Sequence, residues 1–418
     1  MSKLESKEAL PLDSNPTVDP KESQPIIINH DGSVTRLVKI PNTEPSQDPN
    51  HIVLTKDVPL NPINKTFIRL FLPRIALHNS KKLPLIVYYH GGGFIFFSAS
   101  STINHDFCVK LAEKIGVVVA SVDYRLAPEY RLPVAYDDAV EALHWLRTTS
   151  EKWVHQFCDV SNCYLMGSSA GGNIAYQASL RVVKTVDEVD FDQFKIRGLI
   201  LHHPFFGGFK RTNTELRFEN DRALPLKASD LMWEFALPEG VGRDHKFCNP
   251  MVVDKEEDKC FDRIKRLGLK ILLTGCDGDP LIDRQVEFVK MLRSKGIEVV
   301  SYFGEGTCPN ADVLPDVGTS LEPSSVQDDI VVPHTPEGEK TLEKVNPEIE
   351  SLSDHTVPIT HSNDSMRTVS LHNDDVETVD KGLNVNYGAN IVDVDQLVFQ
   401  ETSVDKISDQ GMARRTGK

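Results

Sequence analysis

Gly167-Ser168-Ser169-Ala170-Gly171, extended by Gly172, sets a serine among glycines. The run follows Cys163-Tyr164-Leu165-Met166, an apolar segment of strand type, and precedes Asn173-Ile174-Ala175-Tyr176-Gln177-Ala178, which reads as the opening of a helix. Strand, tight turn and helix are the context of a nucleophile elbow. Glycines on either side let the backbone take a strained turn, so that Ser169 Oγ projects from a sheet edge at a helix N-terminus. The chemistry such a serine performs is attack on a carbonyl, with transient attachment of the acyl group to Oγ.

Two further motifs fit that chemistry. His90-Gly91-Gly92-Gly93-Phe94 closes a buried apolar strand, and its three glycines leave backbone N–H groups unobstructed. The amides of Gly92 and Gly93, with that of Ala170 after the serine, are the expected oxyanion donors. His90 precedes the loop and is expected to orient it by a hydrogen bond rather than to serve as a base. Gly275-Cys276-Asp277-Gly278-Asp279-Pro280-Leu281-Ile282-Asp283 follows another strand. A carboxylate at a strand end, later in the chain than the serine, suits the acid that orients a histidine. Asp279 is the candidate, Asp277 the reserve, and Asp283 an expected helix N-cap. A fourth cluster, Asp123-Tyr124-Arg125-Leu126-Ala127-Pro128-Glu129, reads as buried ion-pair support for a turn.

The segments that must position these residues alternate in type. Apolar runs at 84–90, 116–123, 163–166, 199–203, 270–274 and 297–303 have the character of strands buried on both faces, and 104–114 and 136–149 are helical. Residues 64–71 alternate as a half-buried strand, and 24–40 carry a strand pair around His30-Asp31-Gly32. The alternation predicts an α/β fold with a mostly parallel sheet covered by helices on both faces. Residues 207–262 interrupt it with a polar, aromatic-dotted insertion, expected to lie over the site as a cap. Phe94, Phe96, Phe97, Phe205 and Phe206 either line an apolar substrate pocket there or belong to the core.

Charge is unevenly distributed. Of the net −15, residues 307–418 carry 21 acidic against 8 basic side chains, while residues 1–306 are nearly neutral. No basic face emerges, so nucleic acid is not an expected partner. The first residues lack an apolar leader and no run reaches membrane-spanning length, so neither secretion nor a membrane is expected. Seven scattered cysteines without a C-x-x-C pair argue against a disulfide framework or a zinc site and suit a reducing cytoplasmic compartment. No metal or cofactor is expected. Residues 1–25 and 307–418 are polar and poor in apolar side chains, and disorder is expected of both.

Taken together, the motifs at 90–94, 123–129, 167–172 and 275–279 resemble those of the plant carboxylesterases, relatives of hormone-sensitive lipase with the α/β-hydrolase fold. The resemblance spans residues 26–306. It implies Ser169 as nucleophile, Asp279 as triad acid, Gly92, Gly93 and Ala170 as oxyanion donors, a cap built from the N-terminus and residues 207–262, and a small-molecule ester as substrate. One departure stands out. The family places Gly-x-His and a long amphipathic helix after its last strand, whereas here Gly304-Glu305-Gly306 leads into Thr307-Cys308-Pro309-Asn310 and an unrelated acidic tail. That tail resembles linker sequence of retroelement polyproteins. Its histidines, His334, His355, His361 and His372, sit in polar surroundings with no element to fix them. The sequence therefore leaves two functions open: an impaired serine esterase, or a non-catalytic hormone-binding protein like the gibberellin receptors, which resemble this family and also lack the triad histidine. Those receptors carry serine where this chain has Gly93.

Overall fold

The computed structural model describes residues 26–30, 34–185 and 194–304. The disorder expected of residues 1–25 and 307–418, and the four tail histidines, lie outside the described residues.

The described chain opens with a short antiparallel pair, β1 (Ile26–Ile28) and β2 (Val34–Arg36), followed by β3 (Val53–Asn61) and β4 (Thr66–Pro73), the short α1 (Ile75–His78), and β5 (Leu83–Tyr89). Next come α2 (Thr102–Ile115), β6 (Val118–Asp123), α3 (Val134–Thr148), α4 (Lys152–Phe157), β7 (Cys158–Ser168) and α5 (Ala170–Thr185). The remainder comprises β8 (Ile196–His202), α6 (Asn213–Arg217), α7 (Leu226–Ala236), α8 (Lys255–Leu267), β9 (Lys270–Cys276), α9 (Ile282–Ser294) and β10 (Val299–Gly304).

Eight of these strands form one sheet in the order β10-β9-β8-β7-β5-β6-β4-β3. β3 and β4 pair antiparallel at one edge, and every pairing from β6 to β10 is parallel. The cause is visible in composition. Leu85, Val87, Val118, Ala120, Leu165, Leu199, Leu201 and Leu273 on one face, and Ile86, Tyr88, Val119, Met166, Ile200 and Leu272 on the other, are all buried, so both faces of the central strands need cover. On the first face lie α3, α5, α8 and α9, whose apolar stripes carry residues such as Tyr136, Ile174, Phe261 and Phe288. Within the second apolar cluster α2 supplies the helical residues, Phe107, Cys108, Leu111 and Ala112.

The parallel order sets the site. β7 is central, β5 lies on one side of it, and β8 then β9 on the other, so the loops leaving β5, β7, β8 and β9 gather at one edge of the sheet. The insertion is shorter than its sequence suggested. α8 begins at Lys255 behind a capping box made by Asp254 and Glu257, and it packs on α5, where Arg263 bonds the carbonyls of Val183 and Lys184. It is thus the crossover helix that returns the chain to β9, and the excursion proper contains α6 and α7. Five cysteines, Cys108, Cys158, Cys163, Cys248 and Cys260, are buried free thiols. Cys276 is disulfide-bonded, which the cysteine spacing had not anticipated.

Candidate active site

Ser169 stands between β7 and α5 with φ at +53°, a left-handed conformation that a non-glycine residue adopts only when its surroundings impose it. The surroundings do so through hydrogen bonds. Ser169 N–H donates to the His202 carbonyl at 2.9 Å, and its own carbonyl accepts from Gly172 N–H at 2.9 Å and Phe205 N–H at 2.8 Å. The flanking glycines serve close approach. A Cβ on Gly167 would lie 2.0 Å from the Gly171 carbonyl oxygen, and one on Gly171 would lie 1.8 Å from that of Tyr89. Ser169 itself is only half-buried, so its hydroxyl is reachable. Ala170 opens α5, and its amide is among those at a helix start that lack an intrahelical acceptor.

The glycine loop leaves β5 directly beside the serine. A Cβ on Gly91 would meet Ser169 Cβ at 3.4 Å, and Gly92 and Gly93 have φ of +105° and +61°. The Gly92 carbonyl accepts from the amides of Ile95 and Phe96, at 3.0 and 2.9 Å, while the amides of Gly92 and Gly93 donate to no backbone carbonyl among the described residues. α7 lies over this loop, because a Cβ on Gly93 would touch Met232 Sδ.

His90 is fully buried, stacks on Tyr124 at 4.2 Å and directs Nδ1 to the Gly91 carbonyl at 2.8 Å, as expected of a residue that orients the loop. Because a carbonyl only accepts, Nδ1 carries the proton, and Nε2 is buried without a partner. Burial lowers the imidazole pKa from 6.5 to about 4. An unfolded chain therefore takes up a proton that the folded one refuses. The stabilisation is complete above pH 6.5 and is lost as pH falls towards 4, amounting to about 3 kcal/mol. Denaturant melts of wild type and His90→Gln across that window should show the wild-type slope flattened in the variant.

Asp279 is placed after β9 and nearly buried, at 7% exposure. Oδ1 accepts from Leu281 N–H at 2.8 Å, and Oδ2 accepts from Gln285 Nε2 at 2.9 Å and from His203 Nδ1 at 3.0 Å. Asp277, the reserve, is exposed, and its amide donates to the Gly304 carbonyl. Asp283 is not an N-cap. Leu281 holds that position, and Asp283, within the first turn of α9, accepts from Thr214 N–H at 3.0 Å and so ties α6 to α9. His203 went unremarked in the sequence, where it only closes the strand run 199–203. The signal that finds it is the strand order, which sets β8 between the strands that carry Ser169 and Asp279.

The aromatics divide. Phe94 and Phe205 are 1% exposed and pack with Trp233 of α7, their ring centroids 5.4 and 4.6 Å from the indole, while Phe206 is wedged between Tyr176 and Phe288. All three are buried among other rings and Phe96 is buried too, as the core alternative for these aromatics requires. Phe97, half-buried beside Gly92, is the aromatic of this loop left accessible. The charges of the Asp123–Glu129 cluster support its turn through partners outside the run. Asp123 accepts from Ser98 Oγ and Ala99 N–H, Arg125 bonds the fully buried Asp138, and Glu129 bonds Arg36 of β2. Arg36 also donates to the carbonyls of Ile95 and Ala127, so the N-terminal hairpin is fastened onto the segment after the glycine loop.

A mostly parallel eight-stranded sheet carrying a strained serine turn beside a glycine loop defines the α/β-hydrolase class. The chain belongs to that family: the profile described as alpha/beta hydrolase fold matches residues 86–308. Within it the chain is of the carboxylesterase type. It is 44% identical to Carboxylesterase 20 of Arabidopsis thaliana over 306 residues, covering 72% of this chain and 92% of that one. It is 46% identical over 280 residues to the 3-O-acetylpapaveroxine carboxylesterase CXE2 of Papaver somniferum, covering 65% and 86%. Among solved structures, a carboxyl esterase of the fungus Tuber melanosporum superposes with a TM-score of 0.53 at 22% identity, covering 66% of this chain and 84% of that one. A Pyrobaculum calidifontis esterase gives 0.51 at 24%, covering 65% and 82%, and both show the shared fold.

Proposed function

We propose that this chain hydrolyses small carboxylic esters through an acyl-enzyme on Ser169, at a rate below that of relatives with a complete triad. The observation that carries this reading is Ser169 held at φ +53° beside Gly91, with Asp279 oriented two strands away. The amides of Gly92, Gly93 and Ala170 supply the donors for the tetrahedral oxyanion. Asp279 supplies the carboxylate that orients a base. What limits the rate is the base itself, because no histidine follows β10 before His334. A serine hydroxyl without a base is a weak nucleophile, and the oxyanion site and binding alone sustain roughly 10³–10⁴-fold over water.

The missing histidine is also what favours the second reading, a binding protein for a small hormone on the same fold. One experiment separates the two. Full-length protein is assayed with p-nitrophenyl acetate and with a fluorophosphonate label, alongside Ser169→Ala. Slow turnover and labelling, both abolished in the variant, are expected. Turnover unchanged in Ser169→Ala would overturn the esterase reading, and no turnover together with tight hormone binding would replace it.

A further inference from the structure

β8 lies between β7 and β9, and His202 stands in register with Ser168 on one side and Thr274 on the other. The next residue, His203, is therefore at the edge of the sheet, one strand from the serine and one strand from the loop of Asp279. Neighbouring strands are about 4.8 Å apart, so an imidazole there is long enough to bridge the two. The backbone holds it firmly. His203 N–H donates to the Thr274 carbonyl at 2.9 Å, and His202, one residue before it, and Phe205, two residues after it, bond the main chain of Ser169 itself. Its φ of +46° is a second left-handed non-glycine residue beside the elbow.

The ring is as constrained as the backbone. Nδ1 lies 3.0 Å from Asp279 Oδ2, and a carboxylate accepts, so Nδ1 carries a hydrogen and, in the neutral ring, Nε2 is the atom with the lone pair. Nε2 bonds no group among the described residues. His202 is excluded from this role because its Nδ1 is engaged by Thr274 Oγ1 at 2.8 Å and its ring packs on Phe107, within the opposite apolar cluster.

We propose that His203 is the proton acceptor for Ser169 in this chain, oriented by Asp279 and standing in for the histidine absent after β10. In the acylation step Nε2 takes the hydroxyl proton as Oγ bonds to the ester carbonyl carbon. When the carbon–oxygen bond to the alcohol breaks, the same proton passes from Nε2 to the departing oxygen. Water then repeats the sequence, losing a proton to Nε2 as it attacks the acyl carbon, and Ser169 Oγ recovers that proton as it leaves. The proposal rests on the serine-esterase reading, and its test distinguishes the two.

Wild type, Ser169→Ala, His203→Ala and His203→Asn are compared in the full-length chain with p-nitrophenyl acetate. Asparagine tolerates a left-handed backbone and donates to Asp279 but has no basic nitrogen, so it serves where the alanine variant fails to fold. Both His203 variants should lose about 10²–10³ in kcat with KM changed less than threefold, the range expected for a general base. Added imidazole should restore turnover at least tenfold in His203→Ala and not at all in Ser169→Ala. Wild-type kcat in both His203 variants, with Ser169→Ala inactive, would overturn the proposal and leave the esterase reading standing. Loss of that kcat on replacing the four tail histidines would name the base instead. Absence of any Ser169-dependent turnover in wild type would overturn both.

Discussion

Gly171→Ala is expected to destabilise the protein by at least about 4 kcal/mol and to remove all Ser169-dependent turnover. The added methyl would lie 1.8 Å from the Tyr89 carbonyl oxygen and 2.6 Å from that of His90. Both are backbone atoms, so neither can swing aside as a side chain would. Either β5 or the start of α5 must move, and both are fixed by buried neighbours. Overpacking of a core usually costs about 1–3 kcal/mol, and the largest losses come where rigid main chain is the obstacle. The functional loss follows from the same displacement, because parting α5 from β5 also parts Ser169 from the Gly91–Gly93 loop. Denaturant melts and ester hydrolysis, with Gly242→Ala as the control at a glycine with open space around it, check this. A Gly171→Ala protein within about 1 kcal/mol of wild type would show that the elbow is not held by this crossing.

The elements that sequence made legible are those whose side chains are buried on both faces, since near-continuous apolar runs can be read without knowing their neighbours. β5, β6, β8 and β9 were recognisable in this way and α2 and α3 by their helical pattern, and the α/β-hydrolase fold followed; β10 was expected to be buried on both faces, but only Val299 in it is buried and Tyr302 is exposed. β3 was not, because Lys56, Asp57 and Pro59 break its apolar pattern. It is an edge strand buried only at Val53, Leu54 and Thr55, and an edge strand has one side free of a partner. α8 was absorbed into the supposed cap because its strongly charged outer face disguised a stripe of Cys260, Phe261 and Ile264.

The candidate site divides along the same line. Ser169, the glycines and Asp279 each answer a local backbone demand, namely a strained turn, a side-chain-free loop and a strand end, and local demands leave a trace in the chain. His203 and Asp279 are far apart in sequence and meet only through the strand order β9-β8-β7. The partners of Asp123, Arg125 and Glu129 are likewise distant. The role of the phenylalanines turned on how α7 folds back over the loop, which no spacing rule states.

Asp279→Asn should lower kcat by about 10²–10³, no more than loss of His203 itself, with little change in KM, because it removes orientation of the base and not the binding of substrate. The amide is nearly the same shape, but it presents N–H where two donors already point. Gln285 Nε2 and His203 Nδ1 both donate to Oδ2, so turning the amide oxygen to them leaves Leu281 N–H without its acceptor, whereas turning the amide NH2 to them leaves both without one. Charge-assisted bonds of this kind are worth about 1.5–3 kcal/mol each, so the variant should also be destabilised by about 2–4 kcal/mol. Forced to find an acceptor, the imidazole would turn over or change tautomer, and its lone pair would no longer face the serine. The decisive measurement is the cycle with His203→Asn. If Asp279 acts only through His203, the double variant should be no slower than the slower single one, since groups that work as a unit are lost together. Multiplying losses would instead mean that Asp279 serves a base other than His203, and the esterase would have to draw its proton acceptor from elsewhere in the chain.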